Sequence, residues 1–472
     1  MHERNGNPLN ICVIGAGYVG LTTGTVLASF GHSVTVVEKD AAKLDVLAAG
    51  KVPIFEPGLE ELMAEDLENE SLRFSSDLAA ALEEADAVFV AVGTPSSPDG
   101  SADLRAVDVV SDEIARLLRR PIVLVIKSTV PIGTSDAVAD RIHEALGRRS
   151  DELAALGVLP ASGRVEELCE VVFCPEFLRE GKALLDLVHP HRIVIGTGST
   201  KALDLLKDLF ASIDAPILVT DRRSAEAIKY ASNAFLATKI SFVNEMANLC
   251  EVTGADIIDV ATGMGMDERI GDKFLQAGVG YGGSCFPKDT KALLHIADTA
   301  GYKFSILEAV VDVNERQKRR VIAILRNMIG DLAGTKIALL GLAFKPETDD
   351  IREAPSIVVA KELLHEGADV IGYDPQAAQN LANEVPGIVI AGSAEEAIEG
   401  ADAIVLLTEW EEFLQLDPVT IRSRMRGDLL IDGRNVLDPE RLIQAGLRYH
   451  GIGRRIGDLG DVRDPGEGCE SC

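Results

Sequence analysis

The sequence predicts an α/β protein in which two doubly wound domains are joined by one long central helix, and three observations predict it. Short Val/Ile/Leu/Ala runs alternate with helix-compatible stretches at both ends of the chain, the arrangement of parallel strands covered by helices. Between these regions, from about Ser224 to Thr253, the chain carries neither Gly nor Pro and reads as a single helix. The length, 472 residues, exceeds what one hydrophobic core usually supports, so two or three domains are expected.

Residues 10–14 form the first strand, which runs into Gly15-Ala16-Gly17-Tyr18-Val19-Gly20; residues 21–30 continue as a helix and residues 33–38 as the second strand. Further strands are expected at 87–91 and 122–126, with helices between them, and residues 1–213 are assigned to this first, all-parallel domain. The long helix, roughly 30 residues and so about 45 Å, lies in a central helical domain, 214–330, that also holds a helix over 312–328. A helix of that length suits domain connection and dimer contacts. Strand-helix-strand alternation resumes at 336–340, 369–373 and 403–407, giving a second α/β domain over 331–460. The opening strand of each α/β half meets a glycine, Gly15 or Gly341, and the second strand ends near an acid, Glu38 or Asp374. Only the first half keeps the full glycine set. Residues 147–170 read as a mobile surface insertion and 461–472 as a flexible acidic tail.

Charge narrows the function classes. Lys and Arg total 46 against 75 Asp and Glu, and a formal net charge of -29 repels polyanions, which argues against nucleic acid or an anionic membrane as partner. No basic-apolar leader opens the chain, and apolar runs such as 122–126 are far shorter than a bilayer span, so a cytoplasmic location is expected. The seven cysteines, at positions 12, 169, 174, 250, 285, 469 and 472, are scattered and odd in number, which fits reduced thiols. Cys469-x-x-Cys472 has no second ligand pair and the histidines form no metal-spaced group, so no metal is expected.

A bare G-x-G-x-x-G string is weak evidence, but this one follows a strand, opens a helix, and has an acid, Glu38, about 20 residues on at the end of the next strand. Gly15 permits the tight turn, Gly17 lets a pyrophosphate approach, and Gly20 allows close helix-strand packing. Glu38 would bind the adenosine ribose hydroxyls and disfavour a 2′-phosphate, so the cofactor is read as NAD. Segments 92–95, with Thr94, and 127–131, with Thr129, each follow a strand and are expected to line the nicotinamide side.

The chemistry is read from Gly278-Val279-Gly280-Tyr281-Gly282-Gly283-Ser284-Cys285-Phe286-Pro287-Lys288-Asp289. Four glycines in six residues are expected to let the backbone approach a ligand and offer N–H groups to an anion, with a cysteine where a helix begins. A helix N-terminus and Lys288 both favour a thiolate. On the long helix Lys229 and Asn233 are four residues apart and share a face, a cation and an amide suited to an oxyanion.

The chain resembles, over essentially its whole length, the nucleotide-sugar 6-dehydrogenases of the UDP-glucose/GDP-mannose dehydrogenase family. The matching segments, in order, are G-A-G-Y-V-G, K-S-T-V-P at 127–131, P-E-F-L-R-E-G at 175–181, K-Y-A-S-N-A-F at 229–235, R-I-G at 269–271, G-Y-G-G-S-C-F-P-K-D at 280–289, F-K-P-E-T-D-D-I-R at 344–352 and D-G-R-N at 432–435. The resemblance implies oxidation of UDP-glucose to UDP-glucuronate with two NAD, through a covalent adduct on Cys285. It implies that Lys229 and Asn233 stabilise an oxyanion, that Asp289 and Thr129 position or activate water, and that Glu176 and Glu180 lie beside the sugar and the cofactor. Tyr18, Val19, Lys43, Thr94, Lys288 and Arg352 fall to the cofactor side. Phe177, Leu178, Tyr281, Gly282, Phe286, Phe344, Lys345 and Arg434 fall to UDP and sugar, and Arg269 would reach the sugar nucleotide of a neighbouring subunit in a homodimer or larger homo-oligomer.

Two departures stand out: residues 147–170 are longer than the corresponding family loop, and Cys174 precedes Pro175 where asparagine is frequent. GDP-mannose or UDP-N-acetylmannosamine is the alternative substrate, and simple two-electron alcohol oxidation the alternative reaction. A catalytically silent NAD-binding regulator is the alternative of another class, which would be expected to lack Cys285, Lys229 or Asp289.

Overall fold

The computed structural model describes residues 8–455; the expected tail, 461–472, with Cys469 and Cys472, lies outside the described residues. The chain divides into two compact units, one of residues up to Ser232 together with Lys291–Ala300, the other of Asn233–Thr290 together with residues from Gly301 onward.

In the first unit eight strands form one sheet: β1 (Asn10–Ile14), β2 (Ser33–Val37), β3 (Leu72–Ser75), β4 (Ala87–Val90), β5 (Ile122–Ile126), β6 (Cys169–Phe173), β7 (Ile193–Gly196) and β8 (Ile217–Thr220). The order is β3-β2-β1-β4-β5-β6-β7-β8. β4 and β5 are unbroken apolar runs, buried along their whole length, as strands covered by helices on both faces must be. Their side chains alternate between two cores. Val88, Val90, Leu124 and Ile126 enter one, and Ala87, Phe89, Val123 and Val125 the other.

The all-parallel expectation holds from β1 to β6 and fails beyond: β7 is antiparallel to β6, and β8 is parallel to β7. The expected mobile insertion is also corrected. Residues 147–170 carry a helix (Ser150–Ala155) and a short 3-10 turn (Val165–Leu168), and Leu153, Leu168 and Cys169 are fully buried in the core below β5. A few spaced aliphatic residues anchor a segment whose Gly, Arg and Ser content reads as loop.

The glycine turn after β1 explains itself atom by atom. Gly15 has φ +98°, outside the comfortable range of other residues, and its N–H donates to Val37 O at 2.8 Å. A Cβ on Gly20 would stand 1.8 Å from Gly15 O, whereas one on Gly17 would meet nothing within 4 Å. Gly20 therefore seats the helix Tyr18–Ser29 against the turn, and Gly17 leaves open space.

The second unit holds β9 (Lys336–Leu340), β10 (Asp369–Tyr373), β11 (Val389–Ile390), β12 (Ala403–Leu406), β13 (Leu429–Asp432) and β14 (Arg448–Gly451). They are all parallel in the order β11-β10-β9-β12-β13-β14, the same permutation as β3-β2-β1-β4-β5-β6. Gly341 repeats the role of Gly15, with φ +86° and its N–H on Tyr373 O at 2.9 Å.

The long helix spans Arg222–Thr253, 32 residues, and runs through the division between the units. The helix expected over 312–328 is two helices, Ser305–Lys318 and Arg320–Ile329, separated at Arg319 with no Gly or Pro to mark the break. No helix among the described residues is long and apolar enough to cross a membrane.

Gly20→Ala is expected to lower stability by about 1–3 kcal/mol or more, since the neighbour it meets is backbone. Gly17→Ala is expected to melt within a degree or two of the parent. Thermal unfolding of the two variants side by side checks the contrast.

Candidate active site

The C-terminal ends of β1, β2, β4, β5 and β6 carry the site residues of the first unit, where open α/β sheets bind ligands. Glu38 closes β2. Its Oε2 accepts from Ala16 N at 3.1 Å and pairs with Lys43 Nζ at 3.2 Å. Burial pushes the carboxyl up, but the N–H groups of Asp40 and Ala16 and the Lys43 charge outweigh it and hold Glu38 below the ordinary carboxylate range. An ionised acid beside the open space at Gly17 fits an NAD ribose and pyrophosphate. Val19 lies in the first turn of the helix, half-buried.

Tyr18, expected on the cofactor side, has a structural partner: its hydroxyl donates to Glu56, whose Oε2 also accepts from Gly181 N at 2.7 Å. Glu56 was not foreseen. It precedes Pro57-Gly58, a turn dipeptide that hid its role. The Tyr18–Glu56 pair fixes the loop after β6, which carries half-buried Glu180. Thr94 Oγ1 donates to Thr129 O at 2.8 Å, tying the loops after β4 and β5 together.

Glu176 and Lys229 form a buried ion pair. Lys229 Nζ lies 2.7 Å from Glu176 Oε1 and 2.8 Å from Glu176 O, and both side chains are under a tenth exposed. Burial alone would raise the Glu176 carboxyl, but Lys229, the Leu178 N–H and Lys127 together keep it lowered. Phe177 packs beneath two cations, Arg192 at 3.9 Å and Lys229 at 5.5 Å from its ring centroid. Leu178 is half-buried beside them.

In the second unit the glycine segment behaves differently from its sequence reading. A Cβ on Gly278 would stand 2.6 Å from Gly433 O, on Gly282 2.4 Å from Glu353 O, and on Gly283 2.7 Å from the Phe344 ring. The close approach is to the protein itself. The N–H groups of Gly278, Tyr281 and Gly283 donate to Asn244 Oδ1, Asn314 Oδ1 and Arg352 O, so these three do not form the expected anion cradle.

That packing delivers Cys285 to the start of the helix Phe286–Thr299, with its carbonyl accepting the first helical bond from Asp289 N at 2.8 Å. Cys12, Cys169, Cys174 and Cys250 are buried, and burial pushes Cys12 and Cys169 up to about 12; among the described cysteines Cys285 alone is part-exposed. Its Sγ lies 3.5 Å from Ser284 Oγ. Asp289, 1% exposed, is held on both oxygens, by Lys288 Nζ at 2.9 Å and Asn233 Nδ2 at 2.6 Å. An oriented carboxylate thus lies one helical turn from a part-exposed thiol. Phe286 stacks edge-on against buried Tyr281 at 5.8 Å between centroids.

Phe344 covers Gly283, and Lys345 Nζ lies 5.6 Å from the Phe344 ring. Arg434 reaches back to Leu407 O at 2.7 Å, Phe344 O at 3.1 Å and Glu409 at 3.2 Å. Buried Asp432, which opens the D-G-R-N segment and was given no role of its own, shapes this turn by accepting from Arg434 N, Leu437 N and Tyr449 Oη. Arg269 and Arg352 are exposed, each paired at 2.6 Å with an acid two residues before it, Asp267 and Asp350. The acid of the second sheet, Asp374, differs from Glu38: its oxygens accept from the N–H groups of Leu342, Ala343, Gln376 and Ala377 and from Trp410 Nε1.

A dinucleotide turn with an ionised acid, and a part-exposed cysteine beside an oriented carboxylate, define an NAD-dependent dehydrogenase. The descriptions of the UDP-glucose/GDP-mannose dehydrogenase family match the chain in three parts, its NAD binding domain at residues 9–214, its central domain at 223–316 and its UDP binding domain at 338–439. The chain belongs to this family. It is 46% identical over 448 residues to UDP-glucose 6-dehydrogenase YwqF of Bacillus subtilis, covering 95% of this chain and 98% of that one. Among solved structures, a UDP-glucose dehydrogenase from Pyrobaculum islandicum superposes with a TM-score of 0.86 at 37% identity, covering 96% of this chain and 100% of the other. A UDP-D-ManNAc dehydrogenase from Pyrococcus horikoshii gives 0.80 at 27%, covering 94% and 99%.

Three outcomes are expected. Lys229→Met leaves Glu176 buried and unpaired and should cost about 3–5 kcal/mol. The folded-state carboxyl of Glu176 is lowered, so its stabilising contribution is complete above the ordinary carboxylate range and is lost as pH falls through the lowered value. Urea unfolding at stepped pH should therefore show a shallower acid-side decline for Glu176→Gln than for the parent. Separately, brief iodoacetamide treatment of native protein should label Cys285 ahead of the other four described cysteines, as read by peptide mass.

Proposed function

We propose that this chain oxidises the C6 alcohol of UDP-glucose to the acid, giving UDP-glucuronate, with two molecules of NAD. The observation that carries the reading is the part-exposed Cys285 with Asp289 oriented one turn away, in a chain nearly half identical to a UDP-glucose 6-dehydrogenase along its length. Each NAD, when bound, supplies one two-electron hydride acceptor.

The residues divide the work as follows. In the first oxidation the C6 hydroxyl gives up its proton and the C6 carbon gives up a hydride to the acceptor, leaving an aldehyde, with Glu176 and Glu180 orienting the hydroxyl. Cys285 Sγ then attacks the aldehyde carbon, forming a C–S bond while the carbonyl oxygen becomes a hydroxyl. The carbon still bears hydrogen, so loss of a second hydride and the hydroxyl proton leaves a thioester on Cys285. Asp289, with Thr129, activates the water that cleaves it, and the C–S bond breaks to return the thiolate. Lys229 and Asn233, one helical turn apart, are donors set in advance for the tetrahedral oxyanion, each worth about 2.7–4 kcal/mol. Lys345, Arg434 and the surroundings of Phe286 hold UDP and sugar, Lys288 and Arg352 serve the cofactor side, and exposed Arg269 reaches the sugar nucleotide of a second copy.

The higher identity and TM-score of the UDP-glucose dehydrogenase structure support UDP-glucose over an N-acetylmannosamine sugar. The direct test is NADH yield with UDP-glucose, GDP-mannose and UDP-N-acetylmannosamine in turn. Two NADH per UDP-glucose are expected, and one per sugar would reduce the reaction to simple alcohol oxidation. Cys285→Ala is expected to lose acid formation, and acid formed at the parent rate would end the covalent mechanism. Cys285→Ser is expected to stall at the hydrolytic half, because an oxygen ester hydrolyses less readily.

A further inference from the structure

Three buried polar side chains share one face of the helix Ser305–Lys318: Asn314 and Gln317, each 2% exposed, and Lys318, 1% exposed. A helix face turned to a core ordinarily carries aliphatic residues there, and burying amides costs free energy unless each is bound. Asn314 grips both backbone groups of Tyr281, with Oδ1 accepting from its N–H at 2.8 Å and Nδ2 donating to its carbonyl at 3.1 Å. Gln317 Nε2 donates to Gly278 O at 2.7 Å, and its own Oε1 accepts from Asn248 at 3.0 Å. Lys318 pairs with Glu315 at 2.7 Å and Glu353 at 3.7 Å, and Glu353 is the residue whose carbonyl abuts Gly282.

We infer that Asn314 and Gln317 are positioning residues for Cys285, fixing the peptide groups four and seven residues before the thiol; the inference rests on the proposed role of that thiol. Glycine-rich backbone has many conformations to lose on folding. Aliphatic side chains at 314 and 317 would fill the space but leave the segment free to choose among them. A bidentate amide on Tyr281 selects one. Gly280 belongs to the same device, because a Cβ there would stand 2.8 Å from Asn314 Oδ1.

The test uses the full-length chain and Asn314→Asp, which retains the acceptor for Tyr281 N–H and removes the donor to its carbonyl. With UDP-glucose and NAD, kcat is expected to fall about ten- to hundred-fold, as small misplacements of reacting groups do. KM for NAD should move less than about two-fold. The rate of Cys285 alkylation by iodoacetamide, followed by peptide mass, should change at least three-fold, and this readout stands even if the parent proves inactive on UDP-glucose. Alkylation within two-fold of the parent, with only the unfolding midpoint lowered, would make Asn314 a packing residue and overturn the inference. Should Asn314→Asp fail to fold, Gln317→Glu removes the donor to Gly278 O and is judged by the same readouts.

Discussion

At three points between residues 278–283 and the loops that follow β9 and β13, no side chain larger than hydrogen fits. Backbone meets backbone at Gly278 and Gly433 and at Gly282 and Glu353, and Gly283 meets the Phe344 ring. Everything proposed for the chemistry depends on this contact. It sets where the helix Phe286–Thr299 begins, and so leaves Cys285 part-exposed at its start while Asp289 is sealed one turn later between Lys288 and Asn233. It also joins the cysteine segment to Phe344 and Arg434, the residues proposed to hold the nucleotide. A substitution at any of these glycines would displace thiol, carboxylate and Phe344 together.

Electrostatics then separates two sheets of one topology. Both have a glycine turn after the first strand and an acid after the second. In the first sheet Glu38 remains a lowered, ionised carboxylate beside open space at Gly17. In the second, Asp374 is occupied by four backbone N–H groups and an indole, so its charge serves the turn rather than a ribose. One architecture thus supports a dinucleotide site in one unit and leaves the other for a different ligand. The chain's strongly negative charge demands local cations at any anionic site, and the buried Lys229–Glu176 pair shows such a cation with its desolvation offset by a partner.

Much of this was legible in the sequence. The strands at 10–14, 122–126, 336–340 and 369–373 match their sequence bounds to the residue, because short runs rich in apolar residues and bounded by turn residues have few other uses. The reversal at β7 was not readable, since strand direction leaves no mark in a short buried run. Residues 147–170 read as loop because their three fully buried residues, Leu153, Leu168 and Cys169, are scattered among loop-forming ones. The family motifs point to the proposed site, but their physical reasons come partly from elsewhere. The glycines at 278–283 are required by contacts with residues far along the chain, which no local pattern reveals. Glu56, Asn314 and Gln317 escape the sequence for the same reason: each binds backbone remote in the chain, and an isolated acid or amide reads as surface.

The central claim is that Cys285 carries the sugar covalently between the two oxidations. Rapid acid quench of the protein during turnover of UDP-glucose with NAD, followed by peptide mass analysis, tests it most directly. Asp289→Asn should be quenched in parallel, because slowed hydrolysis lets an acyl adduct accumulate. The expected result is the mass of a UDP-glucuronyl group on the peptide containing Cys285, dependent on NAD. Complete conversion to the acid with no sugar on any cysteine, in the parent and in Asp289→Asn alike, would contradict it.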